Sequence, residues 1–470
     1  MIANSVDGLL NHLEDAVRVD GDRITVLDES DLKDKVGDLV STAVFADGLT
    51  RDTARWSLWE LGQEMGIYPS SIHQLYRSIG RGEVPHNFTV PAINVRGMNY
   101  EMSRAIFRAA NKLQVGALIF EIARSEIGYT AQRPAEYVSS VIGAAIKEGF
   151  RGPLFIQGDH FQVSASGYHT DPEKEVQAVK DLIAEAVDAG FYNIDIDTST
   201  LVDLEKGTLD EQQRVNYQLS ADLTEFVREL EPEGVTVSLG GEIGEVGEKN
   251  STVPELRAYM DGYLDVLDSR YEGISKISVQ TGTSHGGVVL PDGTLAAVSV
   301  DFDTLKELSA VARDEYNLGG AVQHGASTLP EAFFDKFPEI GTLEIHLATG
   351  FQNIIYDTVP EEMANRAYEH IRAERAGEWK EGQTEEQFLY KTRKKAFGPL
   401  KQEWWEQGEE VNRMVGQALE EQFEFLFEKL NVGDTRQVAS DVTTTPKRHR
   451  PRPTRAVEEA ELEIASDLSD

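Results

Sequence analysis

From residue 88 onward, short runs of β-branched and aromatic residues alternate with longer stretches in which apolar positions recur every three to four residues. The short runs predict strands at Thr89 to Asn94, Gly116 to Glu121, Pro153 to Gln157, Asn193 to Asp197, Thr236 to Gly240, Lys276 to Gln280, Ala321 to Gln323 and Thr342 to Leu347. The intervening stretches, such as NYEMSRAIFRAANKL and EKEVQAVKDLIAEAVDAG, predict amphipathic helices. Eight strands with helices between them over about 270 residues indicate an α/β chain, a (β/α)8 TIM barrel in preference to an open doubly wound sheet. An open sheet would also favour a Gly-rich turn after its first strand, and PAINVRGMNY has none.

The flanks read differently. Residues 1–87 predict a helical extension, with Asp52 as an N-cap ahead of Leu58, Leu61 and Met65 at helical spacing. His12 and His73 read there as surface or packing residues. Residues 88–358 form the predicted barrel, and 359–435 predict charged helices packed on it. Residues 436–470 carry TTTPKRHRPRPTR followed by EEAELE, apolar-poor blocks of opposite charge that predict a disordered tail.

Composition narrows the chemistry. The 470 residues include no cysteine, which excludes disulfides, thiolate metal sites and a cysteine nucleophile, so any metal must be held by His, Asp and Glu. Lys and Arg number 45 against 81 Asp and Glu, a formal charge of −36. Such a surface repels nucleic acid and anionic membrane, although a local pocket can still take a phosphorylated small molecule. The excess acid fits a surface adapted to concentrated salt, a merely acidic cytosolic protein being the alternative. No basic-then-apolar leader opens the chain and no apolar run approaches the roughly 18 residues of a membrane span, so a cytoplasmic location is expected.

Barrel enzymes place reacting groups at the C-terminal ends of their strands. Here those positions hold Asp159 and His160 (QGDH), Asp197 (IDTST), Glu242 and Glu245 (GGEIGEVGE), His285 (GTSHGG), His324 (QHGAS) and His346. Three glycine-flanked histidines on separate strands point to a catalytic metal, with Zn²⁺ favoured and another divalent ion open. Gly286, Gly287, Gly325 and Ser327 offer backbone N–H groups and a hydroxyl suited to a phosphate oxyanion. Together these imply a phosphorylated carbonyl substrate.

In order and spacing, VPAINVRGMNYEMSRAIFRAA, QGDH, AVDAGFYNIDIDTS, GGEIGEVGE, GTSHGG, QHGAS and IHLATG resemble the class II, metal-dependent fructose-bisphosphate aldolases. The resemblance implies that His160, His285 and His324 bind the catalytic metal, with Glu242 as an alternate ligand and Asp197 near a secondary position. It implies that Asp159 moves the proton at the C4 hydroxyl of the ketose. Gly286, Gly325, Ser327 and Thr349 would hold the phosphate of the dihydroxyacetone phosphate half, with His346 touching phosphate or metal. Zn²⁺ is the expected cofactor, with a monovalent cation as a further option, and a homo-oligomer, dimer or tetramer, is expected.

The chain also departs from the family pattern. His346 stands where Asn is usual, Ala348 where an acid is usual, and Glu121 near a phosphate-contacting Ser. Leu400 occupies the place of an Arg that would grip a distal phosphate, leaving Lys401 or Arg393 for that role. The proton-transferring loop Glu aligns near Asn250, leaving Glu245 or Glu248. The expected reaction is reversible cleavage of fructose 1,6-bisphosphate to dihydroxyacetone phosphate and glyceraldehyde 3-phosphate. The alternatives are another ketose phosphate such as tagatose 1,6-bisphosphate, a non-catalytic accessory barrel, and metal-assisted phosphate hydrolysis.

Overall fold

The computed structural model describes residues 1–244, 249–282, 290 and 299–454. Strands β1 (Val17–Asp20) and β2 (Arg23–Val26) form an antiparallel hairpin, and β3 (Ile67–Ser70) follows in the same N-terminal segment. The barrel comprises β4 (Val90–Asn94), β5 (Ile119–Ala123), β6 (Gly152–Gln162), β7 (Asn193–Asp197), β8 (Ser238–Glu242), β9 (Lys276–Val279), β10 (Ala321–Gln323) and β11 (Glu344–Leu347). Every barrel strand pairs in parallel with its neighbours, and the β6–β7 pairing closes the ring. The fold is therefore a (β/α)8 barrel with flanking helices. Helices such as Asn99–Leu113, Pro134–Glu148 and Leu209–Leu230 bury their apolar faces against it. Parallel strands covered on both sides require such near-continuous burial, and β4, β5, β7 and β8 are buried throughout.

The N-terminal segment is more than the predicted set of helices. β3 pairs with the first half of β6 from Ile67 opposite Gly152 to Ser70 opposite Phe155, below the point where β6 meets β7. The Asn193 side chain seals that junction, donating to the Ser70 and Ile156 carbonyls and accepting from the Ile72 N–H. The helix His73–Gly80 then crosses beside the barrel and buries Tyr76.

The C-terminal segment differs from its expectation over residues 436–454. Helix Arg436–Val442 is docked where Thr435 Oγ1 accepts from the N–H groups of Gly116 and Ala117. The basic run beyond it lies on helix Gly48–Met65. Trp59 Nε1 donates to the Arg448 carbonyl at 2.6 Å and Trp56 Nε1 to that of Arg450 at 3.1 Å, while the Arg450 guanidinium stands 3.5 Å over the Trp59 ring. Buried Glu60 accepts from the Arg450 N–H at 2.7 Å and faces His449 at 2.6 Å. Charge and proline, read as solvated, are here complementary to a carboxylate and two indoles. Residues 455–470 lie outside the described residues.

Candidate active site

The end of β6 is built to project two ligands. The register with β7 shifts between Gly158 and Phe161, and His160 sits within that bulge at φ +41°, a left-handed conformation that a side chain rarely adopts. A Cβ at Gly158 would overlap the Phe161 ring, so glycine is required for the bulge to fold back. The bulge sends Asp159 and His160 into a cavity of about 760 Å³ at the C-terminal mouth of the barrel. His324, Gly325, Ser327, His346 and Thr349 line the same cavity.

Three of the expected metal ligands converge. Ligand atoms of His160, Glu242 and His324 all lie within 4.8 Å of one another, and the His160 and His324 ring centroids are 4.5 Å apart. His285 and Gly286 lie outside the described residues, as do Glu245 and Glu248. The carboxyls at this mouth are buried and crowded. Burial, reinforced by Asp197 and opposed by His160, pushes the Glu242 carboxyl up to about 7. Burial likewise raises Glu121 to about 8, despite His346 beside it. Carboxyls crowded in a buried mouth disfavour their ionised forms, and a divalent cation among them would reverse that. The donor set of imidazole and carboxylate fits such an ion.

The surroundings of two further expected site residues are specific. Asp197, expected near a secondary metal position, accepts from His160 Nδ1 at 2.9 Å, Gln162 at 2.6 Å and the Ser199 hydroxyl at 2.7 Å. Burial would raise its pKa, but these donors outweigh it and hold the carboxyl below its ordinary value. It fixes the His160 ring, as carboxylates behind metal-binding histidines do. His346, expected to touch phosphate or metal, is surrounded by carboxylates. Its Nδ1 lies 2.9 Å from Glu121 and 3.2 Å from Asp159, and its Nε2 2.7 Å from Glu344. That setting repels phosphate and suits a cationic or donating ring; His346 also belongs to a second possible metal-binding group with Asp159 and His324.

Another part of the cavity wall holds residues absent from the expected set. Asn94 and Arg96 end β4, Arg124 and Glu126 follow β5, and Lys391 and Lys394 come from the C-terminal helical segment. Arg96 is held by Asn94 at 3.0 Å and Glu126 at 2.9 Å. Burial and Arg96 together depress the Lys394 pKa. Lys401 and Arg393, expected to face a distal phosphate, are committed elsewhere. Lys401 Nζ donates to the Ala131 carbonyl and Glu136, and Arg393 to Asn353 and Tyr368. The strand-end rule applied to β4 and β5 finds Arg96 and Arg124; no comparable signal marks Lys391 and Lys394.

Lys276 stands at the start of β9 and its Nζ is buried inside the barrel, bonded to Gln157 at 2.8 Å, Asp195 at 2.9 Å and Glu344 at 2.5 Å. It does not line the cavity. Gly240 clears the space, since a Cβ there would overlap Asp195. Among the described residues, no helix is long and apolar enough to cross a membrane.

A family model described as fructose-bisphosphate aldolase class-II matches residues 83–418. No curated protein matches the chain. Among solved structures, a fructuronate-tagaturonate epimerase from Cohnella laeviribosi is 12% identical with a TM-score of 0.52, the match covering 73% of this chain and 81% of that one. A "probable tagatose 6 phosphate kinase" from Sinorhizobium meliloti is 15% identical with a TM-score of 0.51, covering 80% and 99%. A fructose-bisphosphate aldolase from Campylobacter jejuni is 18% identical with a TM-score of 0.46, covering 76% and 93%. The first two likenesses bear on the fold alone.

Proposed function

The chain belongs to the class-II fructose-bisphosphate aldolase family, and from that premise we propose that it is a Zn²⁺-dependent aldolase cleaving fructose 1,6-bisphosphate reversibly to dihydroxyacetone phosphate and glyceraldehyde 3-phosphate. The observation that carries this reading is the convergence of His160, Glu242 and His324, the two histidines lining one cavity with Asp159, Gly325, Ser327 and Thr349. His160 and His324, with Glu242 as alternate ligand and His285 from the family motif, would hold the ion. A bound Zn²⁺ supplies Lewis-acid stabilisation of the negative charge that builds on the substrate oxygens during cleavage.

The chain's own residues do the rest. Asp159 takes the proton of the C4 hydroxyl, and the C3–C4 bond breaks to release glyceraldehyde 3-phosphate. The remaining enediolate of dihydroxyacetone phosphate is protonated at C3, with Glu245 or Glu248 as the donor. Gly325, Ser327 and Thr349, joined by Gly286, hold the phosphate of this half; the Ser327 hydroxyl, which accepts from the Ala348 N–H at 2.7 Å, is fixed in place for it. Lys391 and Lys394, in place of Lys401 and Arg393, face the distal phosphate. Asp197 orients His160.

A substrate panel with metal analysis tests the reading. Cleavage of fructose 1,6-bisphosphate above tagatose 1,6-bisphosphate and fructose 1-phosphate is the expected result. Preference for the tagatose isomer would redirect the substrate assignment. Absence of cleavage for every ketose phosphate in zinc-loaded protein would favour an accessory barrel.

A further inference from the structure

A line of polar contacts runs from the N-terminal segment, through the barrel interior, to Asp159. Tyr76 is fully buried on the helix His73–Gly80, and its hydroxyl donates to Glu344 Oε2. The other Glu344 oxygen accepts from Lys276 Nζ at 2.5 Å and faces His346 Nε2 at 2.7 Å. Across the imidazole, Nδ1 lies 3.2 Å from Asp159 Oδ1 and 2.9 Å from Glu121 Oε2. The His346 ring therefore has its Nε2 edge held at Glu344 and its Nδ1 edge turned toward Asp159.

We propose that Tyr76 and Glu344 are positioning residues for Asp159, acting through His346. Tyr76 lies upstream of residues 83–418, the part matched by the family model. The N-terminal segment thus supplies a hydroxyl that the barrel's own strands do not. Lys276 alone leaves Glu344 Oε2 without this donor and free to rotate, and the imidazole would rotate with it. With Tyr76 in place both carboxylate oxygens are bound, which fixes the plane of the carboxylate and, through Nε2, that of the ring. A ring held in this plane keeps Asp159 aimed into the cavity instead of toward the neighbouring Glu121.

The test is a Tyr76→Phe substitution read in two ways. In ¹⁵N-histidine-labelled protein, the ring-nitrogen resonances of His346, assigned by their loss in His346→Asn, should move while those of histidines remote from the barrel interior stay. This readout is independent of the aldolase reading. In the aldolase assay, on which the kinetic readout rests, kcat should fall about tenfold, the equivalent of one hydrogen bond to a charged group, with KM changed less than twofold. In a His346→Asn background the same substitution should change kcat less than twofold, because the intermediary is gone. Glu344→Gln serves the same comparison if Tyr76→Phe does not fold. Unmoved His346 resonances, or equal losses of kcat in both backgrounds, would overturn the proposal. Moved resonances in a protein that cleaves no ketose phosphate would uphold the link from Tyr76 to His346 and overturn the aldolase role given to Asp159.

Discussion

Replacing Lys276 by Met removes a cation that is wholly buried between Asp195 and Glu344. Methionine fills a similar volume, so the main consequence is electrostatic: two carboxylates are left in the barrel interior without their principal partner. Breaking one side of a buried ion pair costs about 3–5 kcal/mol. Set against a typical total stability of about 5–15 kcal/mol, this is a large fraction and should appear as a clear drop in the urea midpoint at pH 7. The pH dependence has a definite sign. In the wild type, Lys276 and His346 overcome burial and hold Glu344 at about 2, so its stabilising contribution is present above the unfolded value near 4.5 and is lost as pH falls toward 2. In the variant, burial is opposed by His346 but no longer by Lys276, so the folded pKa rises, and the penalty is greatest above that value and relaxes as pH falls and the group takes up a proton. The gap between wild type and variant should therefore narrow from pH 7 to pH 4. Adding Glu344→Gln to the variant should recover part of the loss at pH 7. A penalty under about 1 kcal/mol, or one independent of pH, would refute this view of the barrel interior.

The site and the C-terminal strap give further expectations. Lys394→Met should raise KM for a ketose bisphosphate about tenfold while leaving a 1-phosphate within twofold, because only the former reaches that wall. Equal effects on both would remove Lys394 from the distal subsite. Gly158→Ala should displace the Phe161 ring and the His160 bulge, weakening Zn²⁺ binding by about tenfold or more in a calorimetric titration; unchanged affinity would mean that the bulge does not set the ligand. Truncation after Pro446 should strip Glu60 and Gln63 of backbone donors from residues 448–450 and lower stability by roughly 2–4 kcal/mol, seen in urea unfolding by tryptophan fluorescence. An unchanged midpoint would show that the strap contributes no net stability.

Much of the barrel was legible because hydrophobic pattern and strand ends carry direct physical meaning. The run Asn193 to Asp197 coincides with β7, and Ala321 to Gln323 with β10, as short apolar runs bounded by turns. β6 is longer than its predicted Pro153 to Gln157, because the GDH motif continues the strand through a bulge that periodicity cannot register. Residues that take their meaning from distant partners were hidden. Lys276 was read only as the start of a strand, because Asp195 and Glu344 come together around it in the fold and not in the sequence. Arg448 to Arg450 looked solvated because Glu60 and the two tryptophans lie nearly 400 residues away. His346 was placed at a strand end correctly, yet its role depends on Glu121 and Glu344 from two other positions, which no local motif joins.

The most direct measurement is the rate of fructose 1,6-bisphosphate cleavage by the full-length protein before EDTA treatment, after complete removal of metal, and after Zn²⁺ is added back, with His324→Ala alongside. Activity that disappears with the metal, returns with Zn²⁺ and is absent from His324→Ala is the expected result. Cleavage that persists at full rate in protein shown to be free of metal would contradict it.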